Sequence, residues 1–310
     1  MKIKSLSSPE SLKFIKENIK KLNNDFKIED IINFRKLVKL EFKSQIESIS
    51  EKYKPSLKIE KINSIDCLEI SPTSISNDCL ILFFHGGGFI AGNPHQSLMI
   101  SAVIAHFTES KVVTPFYRLA PENPYPASID DCFKVLKYLI ENMPSSKLAI
   151  LGASAGGNAA LVSLLKLQDT NLSMPSSLSL LSPWSDLMHN GDSHSANEGR
   201  DPKLNMNWIN EAVKGYAYNK NLNVPSISPI NGDYRDFPNT FITSGTRDLF
   251  LSQCIRLNNI LKSNNILSNL KIWENMWHTF EMHNDIPEAE QSLMEVSTFI
   301  KSNFNQSALE

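Results

Sequence analysis

A serine, an aspartate and a histidine stand in this chain in an order suited to nucleophilic acyl transfer. Ser154 lies within Gly152-Ala153-Ser154-Ala155-Gly156-Gly157-Asn158, Asp248 closes Gly245-Thr246-Arg247-Asp248, and His278 follows Glu274-Asn275-Met276-Trp277. A serine hydroxyl is a weak nucleophile at neutral pH. It needs a base to take its proton, and the base needs a carboxylate to orient it. A glycine-flanked serine between a strand and a helix has the pattern of a nucleophile elbow, in which acid and then base follow the serine in the chain. The upstream run His85-Gly86-Gly87-Gly88-Phe89 supplies backbone amides of the kind that hold a developing oxyanion. Gly86, Gly87 and Ala155 are the candidate donors.

Other residues compete less well for these roles. Asp233, Asp236 and Asp285 do not close a strand as Asp248 does, and His283 is the nearest rival to His278. His95, His106, His189 and His194 fall on helix or insertion segments, where ordinary surface or core roles suit them. His85 belongs to the glycine run and reads as a loop-shaping residue. Gly86 to Gly88 alone would suit a tight turn. Neither glycine run continues into the Lys-Ser/Thr of a phosphate loop or the spacing of a dinucleotide fingerprint. Phe89, Trp208 and Trp277 are candidate walls of a substrate pocket, with core packing as the competing reading.

The elements that must position these residues follow from periodicity. Leu80–Phe84 and Leu148–Leu151 are apolar runs that enter the two glycine segments, as strands do in a parallel sheet buried on both faces. Further strands are expected at 111–116, 177–181, 239–244 and 269–273. Helices are expected at 96–107, 128–141, 157–168, 252–263 and 287–303. This alternation predicts an α/β fold, mostly parallel, with helices on both faces. Residues 58–62 and 66–70 alternate in polarity, as antiparallel edge strands do. Residues 1–55 carry helical spacing, with Phe26, Ile31, Phe34, Leu37, Val38 and Phe42 as an apolar set, and Pro55 ends the region. Residues 186–236 break the rhythm and read as an insertion. The domain expectation is cap helices over 1–55, a core over 56–185 and 237–310, and a cap insertion over 186–236.

The 310 residues suffice for one large α/β domain, and 31 basic against 33 acidic residues leave a net charge of −2. No basic run marks a nucleic-acid partner. The four cysteines are scattered, without metal-ligand spacing, so neither metal nor cofactor is expected. No stretch has the length of a membrane span. Met1-Lys2-Ile3-Lys4 is not followed by the apolar core of a signal peptide, and the expected location is cytoplasmic.

The chain resembles the hormone-sensitive-lipase-like family of α/β-hydrolase esterases. The resemblance spans nearly all of residues 80–304. It rests on the two glycine runs, Tyr117-Arg118-Leu119-Ala120-Pro121-Glu122, Ser182-Pro183-Trp184, Gly245-Thr246-Arg247-Asp248 and His278-Thr279-Phe280. It implies the α/β-hydrolase fold, an eight-stranded sheet with one antiparallel strand and a helical cap. It also implies a Ser154–His278–Asp248 triad, a small-molecule ester substrate of short to medium acyl length, and edge-strand homodimers as a frequent form. Three positions depart from the family pattern: Ala153 before the nucleophile, Thr279 after the histidine, and Leu251 where another acid is common. A lactonase or amide deacetylase would use the same triad. A receptor that has lost catalysis would lack one of its members.

Overall fold

The computed structural model describes residues 7–19 and 25–306. The expectation for Met1–Lys4 lies outside the described residues, as do parts of the 1–55 cap region. Eight strands form one sheet: β1 (Ser56–Ile62), β2 (Ile65–Ser71), β3 (Leu80–Phe84), β4 (Lys111–Pro115), β5 (Leu148–Ala153), β6 (Ser177–Leu181), β7 (Thr240–Gly245) and β8 (Ser268–Trp273). Their spatial order is β1-β2-β4-β3-β5-β6-β7-β8. Only β2 is antiparallel to its neighbours, β1 and β4; the other pairings are parallel. β1 and β2 turn back on each other at once, whereas parallel neighbours need a crossover, here usually a helix.

Ten α-helices are described: α1 (Pro9–Asn18), α2 (Ile31–Glu41), α3 (Lys43–Tyr53), α4 (Leu98–Thr108), α5 (Ala127–Asn142), α6 (Ala155–Gln168), α7 (Ser193–Ala196), α8 (Met206–Ala217), α9 (Leu251–Ser263) and α10 (Pro287–Gln306). The helix after the second glycine run begins at Ala155, two residues earlier than periodicity suggests. Ser154 takes φ 53° and ψ −118°, so the strand ends and the helix starts without a connecting loop.

The core lies on both faces of the sheet. Every residue of β5 is buried. Leu82, Ile150 and Leu180 pack with α5, α6 and α9 on one side. Ile81, Leu151 and Leu181 pack with α4 and α10 on the other. Strands buried on both faces have no polar alternation, which is why their sequences are nearly continuous apolar runs.

The N-terminal segments are fastened to this core in different ways. Glu288 at the start of α10 accepts hydrogen bonds from the Ser8 N–H (2.6 Å), the Ser8 hydroxyl (2.8 Å) and the Ser11 hydroxyl (3.3 Å). α3 buries Ile49 and Tyr53 in the cluster that contains Leu98 and Ala102 of α4. In α2, Ile31 is buried, while Leu37, expected on the apolar face, is 65% exposed. Arg35 ties α2 down: its Nε donates to the Ile90 carbonyl (2.7 Å), one Nη to the Ala120 carbonyl (2.7 Å), and both Nη atoms reach Glu122.

Truncating Leu151, central in β5 and fully buried, should cost about 2–5 kcal/mol. Ile59→Ala on edge strand β1, where Ile59 is 57% exposed, should stay within about 0.5 kcal/mol. Urea unfolding of both variants measures the difference.

Candidate active site

Ser154 stands at the carboxyl end of β5, the edge of an open α/β sheet where ligand chemistry is found. Its backbone is held from three directions. The Ser154 N–H donates to the Leu181 carbonyl (2.9 Å), and its carbonyl accepts from Gly157 N–H (2.9 Å) and Trp184 N–H (2.9 Å). Close packing explains the glycine two residues on. A side chain at Gly156 would be driven into the Phe84 carbonyl at the end of β3. Positive φ at a non-glycine residue costs of order 1–3 kcal/mol and persists only where the surroundings over-determine it.

Backbone N–H donors bring the loops after β7 and β8 together. Thr246 N–H donates to Trp273 O (3.0 Å), Arg247 N–H to Met276 O (2.9 Å), and Asn275 N–H to Thr246 Oγ1 (2.8 Å). Asp248 and His278 thereby meet. His278 Nδ1 lies 3.0 Å from Asp248 Oδ1 and its Nε2 lies 2.8 Å from Ser154 Oγ. A carboxylate can only accept, so the proton sits on Nδ1 and Nε2 is free to accept from the serine. The same Oδ1 accepts from Phe250 N–H (2.8 Å), and Oδ2 accepts from Ser244 Oγ (2.9 Å).

Electrostatics favour this arrangement. Burial alone would push the Asp248 carboxyl up, but His278 and the hydrogen bonds around it hold it below its ordinary value. Burial would likewise lower the His278 pKa. The charge and hydrogen bond of Asp248 outweigh that penalty, and the net shift is upward. The rivals lie elsewhere. His283 is buried against Phe14 and Trp277, and desolvation holds it well below the ordinary imidazole value. Asp233 is ion-paired with Arg235.

The backbone of Gly86 runs beside Ser154: a Cβ there would stand 3.3 Å from Ser154 Cβ. Gly87 has φ +121°, and a side chain on it would collide with the Ala91 carbonyl. The Gly87 carbonyl accepts from Ile90 and Ala91 N–H, which tightens the run into a turn. Ala155 opens α6, where an N–H has no preceding helical carbonyl to serve. His85 shapes the turn. Its Nδ1 lies 2.8 Å from Gly86 O, and its ring stacks on Tyr117 at 4.2 Å. The Tyr117 hydroxyl donates to His85 O (2.7 Å). Burial lowers the His85 pKa to about 4, so the ring is neutral.

A cavity of about 250 Å³ opens onto Ser154, His278, Gly86 and Gly87. Phe26, Phe34, Val38 and Phe42 wall it from the N-terminal side, Leu204 and Trp208 from the insertion, and Met282 from the loop after β8. Trp208 packs over Gly88. Phe89 and Trp277 are corrections. Phe89 adopts φ 61° and stacks in the core on Tyr216 of α8, at 4.2 Å. Trp277 faces away from its neighbour His278 and stacks on Phe14 of α1, at 4.5 Å. Neither lines the cavity.

Asp201 was not singled out by the sequence. Its one signal is the Asp201-Pro202 pair, a turn initiator. Its Oδ1 accepts from Lys203 N–H (2.8 Å) and Leu204 N–H (3.0 Å), and its Oδ2 from His278 N–H (2.9 Å). Among the described residues no helix is long and apolar enough to cross a membrane, and no cluster of three or more His, Cys, Asp or Glu could hold a metal.

The family model for the alpha/beta hydrolase fold matches residues 81–282. An esterase from Acinetobacter venetianus is 32% identical over 228 residues, covering 72% of this chain and 75% of that protein. An acetyl-hydrolase from Streptomyces hygroscopicus is 24% identical over 224 residues, covering 72% and 75%. The crystal structure of a hormone-sensitive lipase from a metagenome library superposes with a TM-score of 0.84. It is 26% identical, and the match covers 96% of this chain and 99% of that one.

If His278 serves Ser154 as base, labelling of Ser154 by a fluorophosphonate should slow as pH falls through the His278 pKa. Because that pKa is raised, the midpoint should lie above the ordinary 6.5. The rate of probe incorporation across pH, with Ser154→Ala as blank, measures it.

Proposed function

This chain belongs to the alpha/beta hydrolase fold family, among its hormone-sensitive-lipase-like esterases, and we propose that it is a serine carboxylesterase acting through an acyl-enzyme. The observation that carries this reading is the continuous hydrogen-bonded path from Asp248 through His278 to Ser154 Oγ, open to an apolar cavity. His278 Nε2 takes the hydroxyl proton as Ser154 Oγ bonds to the ester carbonyl carbon. The carbonyl electron pair moves onto oxygen, where the N–H groups of Gly86, Gly87 and Ala155 receive it. Each such donor contributes about 3 to 4 kcal/mol in the transition state. The C–O bond to the alcohol then breaks, and His278 returns the proton to the leaving oxygen. Water follows the same route: His278 takes its proton, hydroxide attacks the acyl carbon, and the serine oxygen leaves reprotonated.

The pocket supports a short to medium acyl group. Its walls are predominantly aromatic and aliphatic, which suits an uncharged chain and penalises a desolvated carboxylate. Glu41 and Lys203 both line it and pair with each other, so neither offers a free charge to a substrate.

Ser154→Ala should lower kcat on p-nitrophenyl butyrate by roughly ten-thousand-fold or more. Equal turnover by both proteins would overturn the proposal. Trp208→Ala enlarges the pocket, and the acyl length with the highest kcat/KM in a C2–C12 series should become longer. An unchanged length profile would remove Trp208 from the acyl wall.

A further inference from the structure

Asp201 is fully buried and is contributed by the insertion rather than by the sheet that carries the nucleophile, acid and base. An aspartate that only shapes its own turn uses local N–H donors, as Oδ1 does here with Lys203 and Leu204. Oδ2 instead spans 77 positions to the main-chain N–H of His278. Lys203 and Leu204 line the cavity. One carboxylate therefore grips two pocket-wall residues with one oxygen and the base with the other. We infer that Asp201 is a positioning residue for His278, which locks the wall of the acyl pocket and the imidazole into a single unit. The inference rests on the esterase reading for its meaning and on geometry for its content.

The surroundings add an electrostatic role. Asp201 faces Asp248 from the loop after β7 and His278 from the loop after β8, and it feels Arg247. The Lys203 side chain turns to Glu41 instead. Burial, with Asp248 adding to it, raises the Asp201 carboxyl to about 7. In its charged form Asp201 joins Asp248 in favouring the imidazolium of His278. Removing that charge makes His278 easier to deprotonate.

Asp201→Asn tests this. An amide keeps the shape but places an NH2 where one side chain oxygen now accepts, so one side of the grip must open. Nitrogen-15 histidine spectra, with the His278 signals identified by their loss in His278→Gln, report the base directly. The expected result is a His278 titration midpoint lower by roughly one pH unit. A parallel fall in kcat of about ten-fold, with KM changed less than about two-fold, is also expected. An unchanged midpoint overturns the inference, as does a loss that falls wholly on KM. Should Asp201→Asn not fold, Asp201→Glu decides: the charge is kept but the carboxylate is displaced by one methylene, so kcat should still fall with KM changed less than about two-fold, and an unchanged kcat overturns the inference. The spectra need no turnover. A native protein without Ser154-dependent hydrolysis would therefore sink the esterase reading while leaving the titration result to stand.

Discussion

The structure depends on the backbone of Ser154 remaining in a conformation that an L-residue avoids. With φ 53° and ψ −118° the chain leaves β5 and enters α6 in one step, lifting the hydroxyl above the sheet edge. Relaxation would have to break main-chain bonds to β6 and to Trp184. It would also press the start of α6 against β3, where Gly156 has no room for a side chain. The strain is offset by the buried strands beneath it, and what results is a serine hydroxyl whose direction is fixed by the fold.

The polar chain above the sheet was largely legible in the sequence. His278 is found by its place after the last strand, β8, whose end carries no glycine, while Ser154 and Asp248 are tied to strand ends that carry one. The Gly245 and His85 segments carry that signature as clearly as the Ser154 segment. Aromatic residues carry no such mark. Phe89, Trp208 and Trp277 have the same chemistry in sequence. Which of them faces the cavity depends on a left-handed turn at Phe89 and on the neighbour that Trp277 finds in α1. Asp201 was illegible for another reason. Its partner is a backbone N–H far along the chain, and backbone groups carry no residue-type signature.

The cavity is a joint product of the N-terminal helices and the segment over 186–236. α2 contributes Phe34 and Val38, and the insertion contributes Leu204 and Trp208. These walls are not free-standing. Arg35 binds α2 to the carbonyl of Ile90, just beyond the first glycine run, and to that of Ala120 in the loop after β4. Trp208 rests on Gly88 within that run. A change of side chain in these walls is therefore transmitted to the loop that carries Gly86 and Gly87. The cavity wall and the glycine loop beside Ser154 are mechanically connected in this fold.

The grip of Glu288 on Ser8 and Ser11 spans 280 and 277 positions of sequence, and this has a consequence for the chain during its own synthesis. Ser8 and Ser11 are synthesised well before their partner Glu288, and Phe14 well before Trp277. Until then Phe14 and Ile15 of α1 have no native surface to cover, and the His278 loop is not yet available to Ser154. Across that interval the nascent chain carries Phe14 and Ile15 without their native cover, and Ser154, Asp248 and His278 can meet only once the loop after β8 has been made.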